Sequence, residues 1–567
     1  MRSLLPLIAI LSPLFAAGLI GLLGRTLSER TARISIWALA ISTGAAILTL
    51  YDVIQHDAAA LKVSGMPAPF TLFILVDRLA AVMMVLITGV SVVIHAYSRR
   101  YMQGEPGYVK FFGLLTLLTF VLLSLVTSGN LFWLLVCWHA VTWLLKALLS
   151  FHETRPAARQ AGRSAMRVLG LGDAALLIAI LLTYATFGTL DVTELFQAVK
   201  AAPTAPAITV ITMVLVVTIM TKSAQFPFHV WLSGTIEAPT PVSAMLHAGI
   251  VNAGGFLVNR LAPLYGMAPT TLYLLFVVGS LTALIGAATM LTQPSIKRTL
   301  VYSTMGQMGY MVMECGLGAF ALAIFHLCAH GLFKATLFLN SGTNIHRART
   351  EFKLPGHHSI REKAGFSFMT WATGLVITLL LPLVIVLMAH GLVNIPLFAA
   401  QGTVIFLFFA WVTSAQAIFS LYRLEAVASW KVSATMVATL SFIGLTYLWA
   451  GESFTHFLYP APGQAAAYFQ AAAWHQGLFD AFVALSALLI VLVWVILYRK
   501  AHGMRLLLPD LLGTIYTRSY VAFMSGLYVE DLLRSLARAL KRVRGQPSRR
   551  PPFSPIHPEG AYRTRPP

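Results

Sequence analysis

Charge is scarce in this chain. Of its 567 residues only 11% are Asp, Glu, Lys or Arg, while 58% are hydrophobic. A soluble domain carries about twice that charged fraction, which excludes a soluble enzyme, a disordered scaffold and a secreted disulfide protein. Cysteine is scarce as well. Cys137, Cys315 and Cys328 are too few for a disulfide framework or for a Cys-based zinc or iron–sulfur site. Acidic residues are the rarer sign, 20 against 40 Lys and Arg, for a formal charge of +20. In a soluble chain that surplus would suggest nucleic acid; here it is first a question of membrane topology.

Long apolar runs are what the chain has instead. A bilayer core takes about 20 apolar residues per helix. Runs of that size fall at 4–24, 33–52, 77–98, 110–128, 131–151, 165–187, 207–226, 241–261, 270–292, 299–316, 318–343, 366–389, 402–421, 432–450 and 476–498. The first follows Met1 and Arg2 as a signal peptide would. It stays apolar through Leu23 with no convincing small-residue cleavage site, so it reads as a retained helix. The expected fold is an all-α polytopic membrane protein of about 15 transmembrane helices.

Basic residues test that count. The connections after runs 1, 3, 5, 9, 11 and 13, with the segment after run 15, hold 32 of the 40 Lys and Arg. Arg155, Arg159, Arg163 and Arg167 form one such connection. Positive residues gather in cytoplasmic loops. The alternation therefore predicts an outside N-terminus, a cytoplasmic C-terminus and location in the cell inner membrane, and it accounts for the net charge without nucleic acid. The expected organisation is a transmembrane domain over 1–500, an amphipathic basic cytoplasmic segment over 501–546 and a disordered tail over 547–567. In the middle segment Leu532, Leu533, Leu536 and Leu540 alternate with Arg534, Arg538, Lys541 and Arg542. Such a helix suits anionic lipid or a cytoplasmic partner.

Eight basic residues remain. Arg2, Lys62, Arg78, Lys200 and Arg260 fall near helix ends or in outer loops, but Lys146, Lys222 and Lys334 fall inside apolar runs. An ammonium at a helix centre costs about 2.5–3.5 kcal/mol on insertion scales, and such groups mark ion or proton routes. Lys146 reads as a side chain that snorkels to the interface. His326, His330 and Lys334 are four apart and form one stripe; His139 and Lys146, seven apart, share a helix face. His247, Asp173 and Glu314 lie in neighbouring runs. Histidine titrates near neutral pH, so a chain of His and Lys can pass protons. A lone buried His is more often only a packed, hydrogen-bonded core residue.

Residues 222–247 carry Pro227, Pro239 and Pro241 soon after Lys222. Proline breaks a helix, and broken backbone at membrane depth occurs only within protein or beside a cavity. Transporters place ion sites at such breaks. Pro382 is a weaker analogue five runs later, which suggests two five-helix repeats with broken helices 7 and 12.

Three stretches, KSAQFPFHVWLSGTIEAPTPVSAMLHAG (222–249), IKRTLVYSTMGQMGYM (296–311) and HLCAHGLFKATLFLNSG (326–342), resemble the antiporter-like subunits of respiratory complex I and of Mrp-type Na⁺/H⁺ antiporters. The resemblance covers about 70–425. It implies two inverted five-helix repeats joined by a polar midplane axis. By motif, Lys222 matches the lysine of the broken helix and His247 the histidine of the next. Lys334, with His326 and His330, matches the second-half lysine and its histidines, and Asp173 in LGLGD matches a family aspartate.

Departures from the family pattern narrow the match. The family places a glutamate on the fifth helix to pair with the lysine; this chain reads Trp138-His139-Ala140 there. Glu237 and Asp173 are both candidates for the missing carboxylate. Residues 366–389 lack the charge that complex I pumps carry, and the long lateral helix followed by a final span is missing. These losses, and the wording STMGQMGYMVMECGLGAFALAIFHLCAHGLFKATLFL (303–339), resemble the DabB membrane subunits of DAB-type inorganic carbon transporters. That resemblance implies a large zinc-containing DabA-type partner with carbonic-anhydrase-like ligands, driven by cation flow to convert CO₂ to bicarbonate. No zinc-ligand spacing appears in this chain, and His357-His358 sits in a basic loop. The expectation is a transporter subunit, not an enzyme, with no cofactor and no metal. Protons or Na⁺ would pass along Lys222, His247, His326, His330 and Lys334, with His139, Asp173 and Glu237 beside them. The rival readings are a proton-pumping subunit of complex I or an Mrp antiporter, and a structural scaffold.

Overall fold

A computed structural model describes residues 4–350 apart from 64, 68 and 202–205, then 449–474 and 509–532, with scattered positions between 438 and 535; over 342–350 it describes the helix only. Helices α1 (Leu4–Leu27) and α2 (Arg30–His56) form an antiparallel pair. A short hairpin follows, β1 (Ala59–Lys62) against β2 (Phe73–Val76), with Lys62 opposite Phe73. Then come α3 (Arg78–Tyr101), α4 (Tyr108–Val126), α5 (Leu131–Leu149), α6 (Pro156–Phe187), α7 (Val192–Ala201) and α8 (Pro206–Lys222). Beyond a non-helical stretch lie α9 (Val230–Ser233), a 3₁₀ turn (Gly234–Glu237), α10 (Thr240–Ala248), α11 (Ala253–Arg260) and α12 (Ala262–Tyr265). Long helices return with α13 (Pro269–Thr292), α14 (Ile296–Gly316) and α15 (Phe320–Thr350). The later described segments hold α16 (Gln464–Ala471) and α17 (Pro509–Met524).

Nine helical segments among the described residues are long and apolar enough to cross a membrane, one of them Thr240–Arg260 taken through its internal 3₁₀ turn. The first eleven expected runs all have counterparts. Those at 366–389 and 402–421, most of 432–450 and of 476–498, Pro382, His357 and His358 lie outside the described residues, as does the tail at 547–567.

The differences have local causes. Helix α6 starts at Pro156, so Arg159, Arg163 and Arg167 ride its first turns rather than a loop. Proline fits the first helical position because its missing N–H would be unpaired there anyway. The run at 241–261 is not one helix; Ile250–Asn252 is a 3₁₀ turn between α10 and α11. Helix α7 was not expected, since ten residues are too few to read as a span.

Helix α10 is the centre of the bundle, with all nine of its residues buried. It packs on α15, α3 and the 3₁₀ turns. At Gly331 on α15 a Cβ would meet the Ala248 carbonyl, so α15 can lie close against α10 only with glycine there. At Gly172 on α6 a Cβ would run into Thr221 Oγ1 on α8, and Thr218 donates to the Gly172 carbonyl across the same contact (3.1 Å).

Polar side chains close the end opposite the basic connections. Asp77 caps α3 by accepting from the Ala80 N–H (2.8 Å) and pairs with the buried Arg260 (2.6 Å), which also donates to the Val126 carbonyl (2.8 Å). Arg78 reaches Asp57 (3.3 Å) and the Phe457 carbonyl (2.8 Å). Lys62 pairs with Asp191 at 2.5 Å. Asp191 is partly buried, which raises its pKa, but the Lys62 and Thr193 hydrogen bonds outweigh that and hold it below the usual carboxylate range. The Asp191 hydrogen bond pushes Lys62 up in turn. Part of the expected amphipathic segment is described: α17 packs on α13, and the Met524 carbonyl accepts from Gln293 (3.4 Å).

Candidate functional site

Helix α8 stops at Lys222, whose side chain is 1% exposed. The backbone then turns through Ala224, which has a positive φ, and a cis Phe226–Pro227 bond. Broken backbone needs replacement partners. The Thr221 carbonyl accepts from the Trp231 indole N–H (2.9 Å). Ser223 donates to the Val251 carbonyl (2.6 Å) and accepts from the Gly254 N–H (3.0 Å). The break is thereby fixed against α11, and Lys222 points into the α5–α6 interface.

There the ammonium donates to Thr142 Oγ1 (2.8 Å) and the Trp138 carbonyl (3.0 Å), and it lies 4.9 Å from the centre of the Trp138 ring. Asp173 Oδ1 is 3.7 Å from it. Thr142 bridges the two by donating to Asp173 Oδ1 (3.2 Å). The other Asp173 oxygen is 2.8 Å from His139 Nδ1, and His139 Nε2 receives the Trp143 indole N–H (2.8 Å). An indole N–H only donates, so Nε2 accepts and Nδ1 carries the proton that Asp173 receives. His139 is a neutral imidazole in this arrangement. Lys146, expected to snorkel, is half-buried with its ammonium 4.6 Å from the centre of the Trp143 ring.

The candidates for the missing carboxylate are now distinguished by position. Asp173 stands against Lys222. Glu237, half-buried at the end of the 3₁₀ turn, makes no bond to it.

A second group gathers on α10, α14 and α15. His247 is fully buried, stacks on Phe338 (centroids 4.3 Å apart) and has Thr235 Oγ1 at 3.4 Å. Lys334, 2% exposed, donates to Ser303 (2.7 Å). His326 lies between Glu314 (3.1 Å) and Gln307 (2.9 Å). His330 is buried with neither ring nitrogen hydrogen-bonded to the protein, and it lies within electrostatic reach of His326, Lys334 and His247. Among the described residues no hydrogen bond joins this group to the Lys222 group.

Sequence reasoning missed Thr142, Trp143, Ser303 and Gln307. Thr142 and Trp143 sit three and four residues beyond His139, on the same helix face, so spacing alone could have found them. Ser303 and Gln307 are ordinary polar residues until α14 meets α15. Among the described residues no group of three or more His, Cys, Asp or Glu is placed to hold a metal ion.

Comparison with known proteins follows the same outline. Residues 128–410 match the family described as NADH:quinone oxidoreductase/Mrp antiporter, TM, and residues 63–112 the family described as NADH-Ubiquinone oxidoreductase (complex I), chain 5 N-terminus. The chain is 39% identical over 555 residues to "Probable inorganic carbon transporter subunit DabB1" of Halothiobacillus neapolitanus, covering 95% of this chain and 97% of that protein. It is 37% identical over 356 residues to a chloroplast NAD(P)H-quinone oxidoreductase subunit 5 of Zygnema circumcarinatum, covering 60% of this chain but only 51% of that one. Among solved structures, the Mrp complex of Dietzia sp. superposes with a TM-score of 0.57 at 24% identity, over 98% of this chain and 64% of that one. An archaeal membrane-bound sulfane sulfur reductase gives 0.57 at 18%, over 94% and 99%. At these identities the structures speak for the fold alone.

Proposed function

The chain belongs to the NADH:quinone oxidoreductase/Mrp antiporter family, in its DabB branch of inorganic carbon transporter membrane subunits, and we propose that it conducts a cation, the proton first, to drive CO₂/bicarbonate chemistry in a partner. The partner in this reading is a large zinc-containing DabA-type subunit on the cytoplasmic side. Among the described residues of this chain no cluster is placed to hold zinc. The chain supplies a downhill ion route.

The observation that carries the reading is the burial of Lys222 at the end of a broken helix, facing Asp173. A lysine in a bilayer protein is kept against a cost of a few kcal/mol, and such a site is functional by default. Lys222 and Asp173 exchange or hold a proton through Thr142. Lys334, His247, His326 and His330 form the continuing half of the route. The unpartnered nitrogens of His330 and His247 support water-mediated passage, because buried polar atoms are ordinarily satisfied by ordered water.

The rest of the arrangement follows the same reading. The chain crosses the inner membrane about fifteen times, in two inverted five-helix repeats, with its N-terminus outside and its C-terminus in the cytoplasm. The one-sided run of basic connections supports that orientation. The basic segment over 501–546 lies on anionic lipid or on the partner, and 547–567 is a polar tail.

The test is Lys222→Ala in the complete transporter. The variant is expected to assemble at normal levels and to lose bicarbonate accumulation. A well-assembled variant with full uptake would overturn the ion route. Affinity purification of the native chain separates the partner: a large zinc protein is expected, and NADH-oxidoreductase subunits in its place would overturn the inorganic carbon assignment.

A further inference from the structure

Helix α6 carries a row of arginines on the side away from the bundle. Arg155, Arg159, Arg163 and Arg167 are four residues apart and exposed, whereas Ala158, Ala161 and Ala165 lie on the buried face. Neighbouring members stand one turn apart, about 6 Å along the axis. Helix α5 fixes the level of the row in the bilayer. The far ends of α5 and α6 are held together by the Asn130–Asp191 bridge, but α6 has 32 residues and α5 only 19. At the near end a Cβ on Gly162 would meet Ser150 Oγ and the Lys146 carbonyl, so α5 stops level with Gly162. At 1.5 Å per residue α5 is about 28 Å long, close to the thickness of the hydrocarbon core. Its end therefore marks the start of the headgroup layer, which is about 5–8 Å deep in each leaflet. Arg159 stands about one turn outside that mark, Arg163 at it and Arg167 about one turn inside.

The side chains narrow that spread. Arg163 Nε donates to the Arg159 carbonyl (3.3 Å) and Arg167 Nε to the Arg163 carbonyl (3.4 Å). Both side chains thus fold toward the helix N-terminus, out of the hydrocarbon. Bonding through Nε leaves the paired terminal nitrogens of each guanidinium unused, and among the described residues no carboxylate pairs with any member of the row. Glu153 in the preceding loop is taken by Lys110 (2.9 Å). A guanidinium fork fits the oxygens of a phosphate two at a time. We propose that Arg159, Arg163 and Arg167 form a binding site for an anionic phospholipid, with a diphosphatidyl headgroup bridging two neighbouring forks through its two phosphates. The site needs the chain to span a bilayer, and it goes beyond the ion-route reading. A protein partner fits the row less well, because it would have to enter the headgroup layer to reach Arg167.

The test uses the assembled transporter in detergent, stripped of native lipid. Native mass spectrometry reads its affinity for diphosphatidylglycerol, with phosphatidylglycerol at matched phosphate, phosphatidylcholine and inorganic phosphate as comparisons. The parent is expected to bind diphosphatidylglycerol about tenfold tighter than any of the others. Equal binding of phosphatidylglycerol or of inorganic phosphate would overturn the bridged headgroup. The decisive variant is Arg163→Lys/Arg167→Lys. It keeps both charges, so the basic count that sets orientation is unchanged, but it has no fork. Its affinity is expected to fall about tenfold, while Arg30→Lys/Arg33→Lys, at another basic connection, stays at the parent value. If the α6 variant binds as tightly as the parent, or if both variants weaken alike, charge alone attracts the lipid and the site fails. Loss of a co-purifying protein from the α6 variant with lipid binding intact would give the face to a partner and also overturn it. Should the double variant fail to assemble, Arg163→Lys and Arg167→Lys are measured singly. A loss of about threefold in each is then expected, and parent affinity in both overturns the site. Lys222→Ala is expected to bind the lipid like the parent, so the site and the ion route stand or fall separately.

Discussion

Lys222 and Asp173 are 3.7 Å apart, but the short hydrogen bonds of the ammonium go to Thr142 and to the Trp138 carbonyl. The pair is therefore in ion-pair range but bridged by the Thr142 hydroxyl rather than joined by a short direct hydrogen bond. A direct buried pair would resist separation, since removing one partner of such a pair costs about 3–5 kcal/mol. A hydroxyl between the charges lets a proton move with little displacement of either side chain.

Asp173→Asn tests that pairing. The ammonium keeps two neutral acceptors but loses its counter-charge. The variant is expected to melt several degrees below the parent in detergent and to retain at most about a tenth of bicarbonate uptake, a tenfold loss being about 1.4 kcal/mol. Uptake at the parent level would mean that the carboxylate is not part of the route.

Gly172→Ala attacks the same place without touching charge. Its Cβ would run into Thr221 Oγ1 and force α6 from α8. Overpacking of this kind costs about 1–3 kcal/mol. Thr221→Ala added to it removes the obstructing oxygen and is expected to restore both Tm and transport. A double variant as impaired as the single one would place the damage elsewhere.

Ser303 is the hydrogen-bond partner of Lys334 among the described residues. Hydrogen bonds to charged groups are worth about 1.5–3 kcal/mol. Ser303→Ala is expected to lower uptake about tenfold while assembly is unchanged. Full activity in a normally assembled variant would remove Ser303 from the second half of the route.

The Lys62–Asp191 pair gives a pH signature away from the membrane spans. Asp191 has a folded pKa below its unfolded one, so its contribution is complete above the ordinary carboxylate range and is lost as pH falls through the folded value. Lys62 is raised, so its contribution is lost as pH climbs through its folded value. Lys62 is half exposed, and an exposed pair is worth about 0.2–1 kcal/mol. Asp191→Asn is expected to lower Tm slightly and equally from about pH 6 to 9, with the gap closing in acid and again in strong alkali. A gap that does not narrow at all as pH falls below the ordinary carboxylate range would show that the effect is not the ion pair.

Much of the molecule was legible in the sequence, for reasons that are local. Apolar runs as long as a bilayer is thick placed the first eleven expected spans, because a chain in lipid must satisfy its own backbone. Pro227, Pro239 and Pro241 marked the break after Lys222, because proline has no N–H to donate. The stripe His326, His330 and Lys334 followed from helical spacing alone. The sequence also raised the question of the missing carboxylate. With Trp138-His139-Ala140 where a glutamate was expected, it left Glu237 and Asp173 as equal candidates.

The tertiary structure decided between them. Asp173 is 49 residues from Lys222 along the chain, and only the close crossing of α6 and α8 at Gly172 and Thr221 brings carboxylate and ammonium together. The same holds for Thr142 between them, for Trp143 over His139, and for Ser303 and Gln307 beside α15. A buried charge declares itself from its own run, because its cost depends on burial in an apolar segment. Its partners do not, since hydrogen bonds act over about 3 Å and depend on which helices touch.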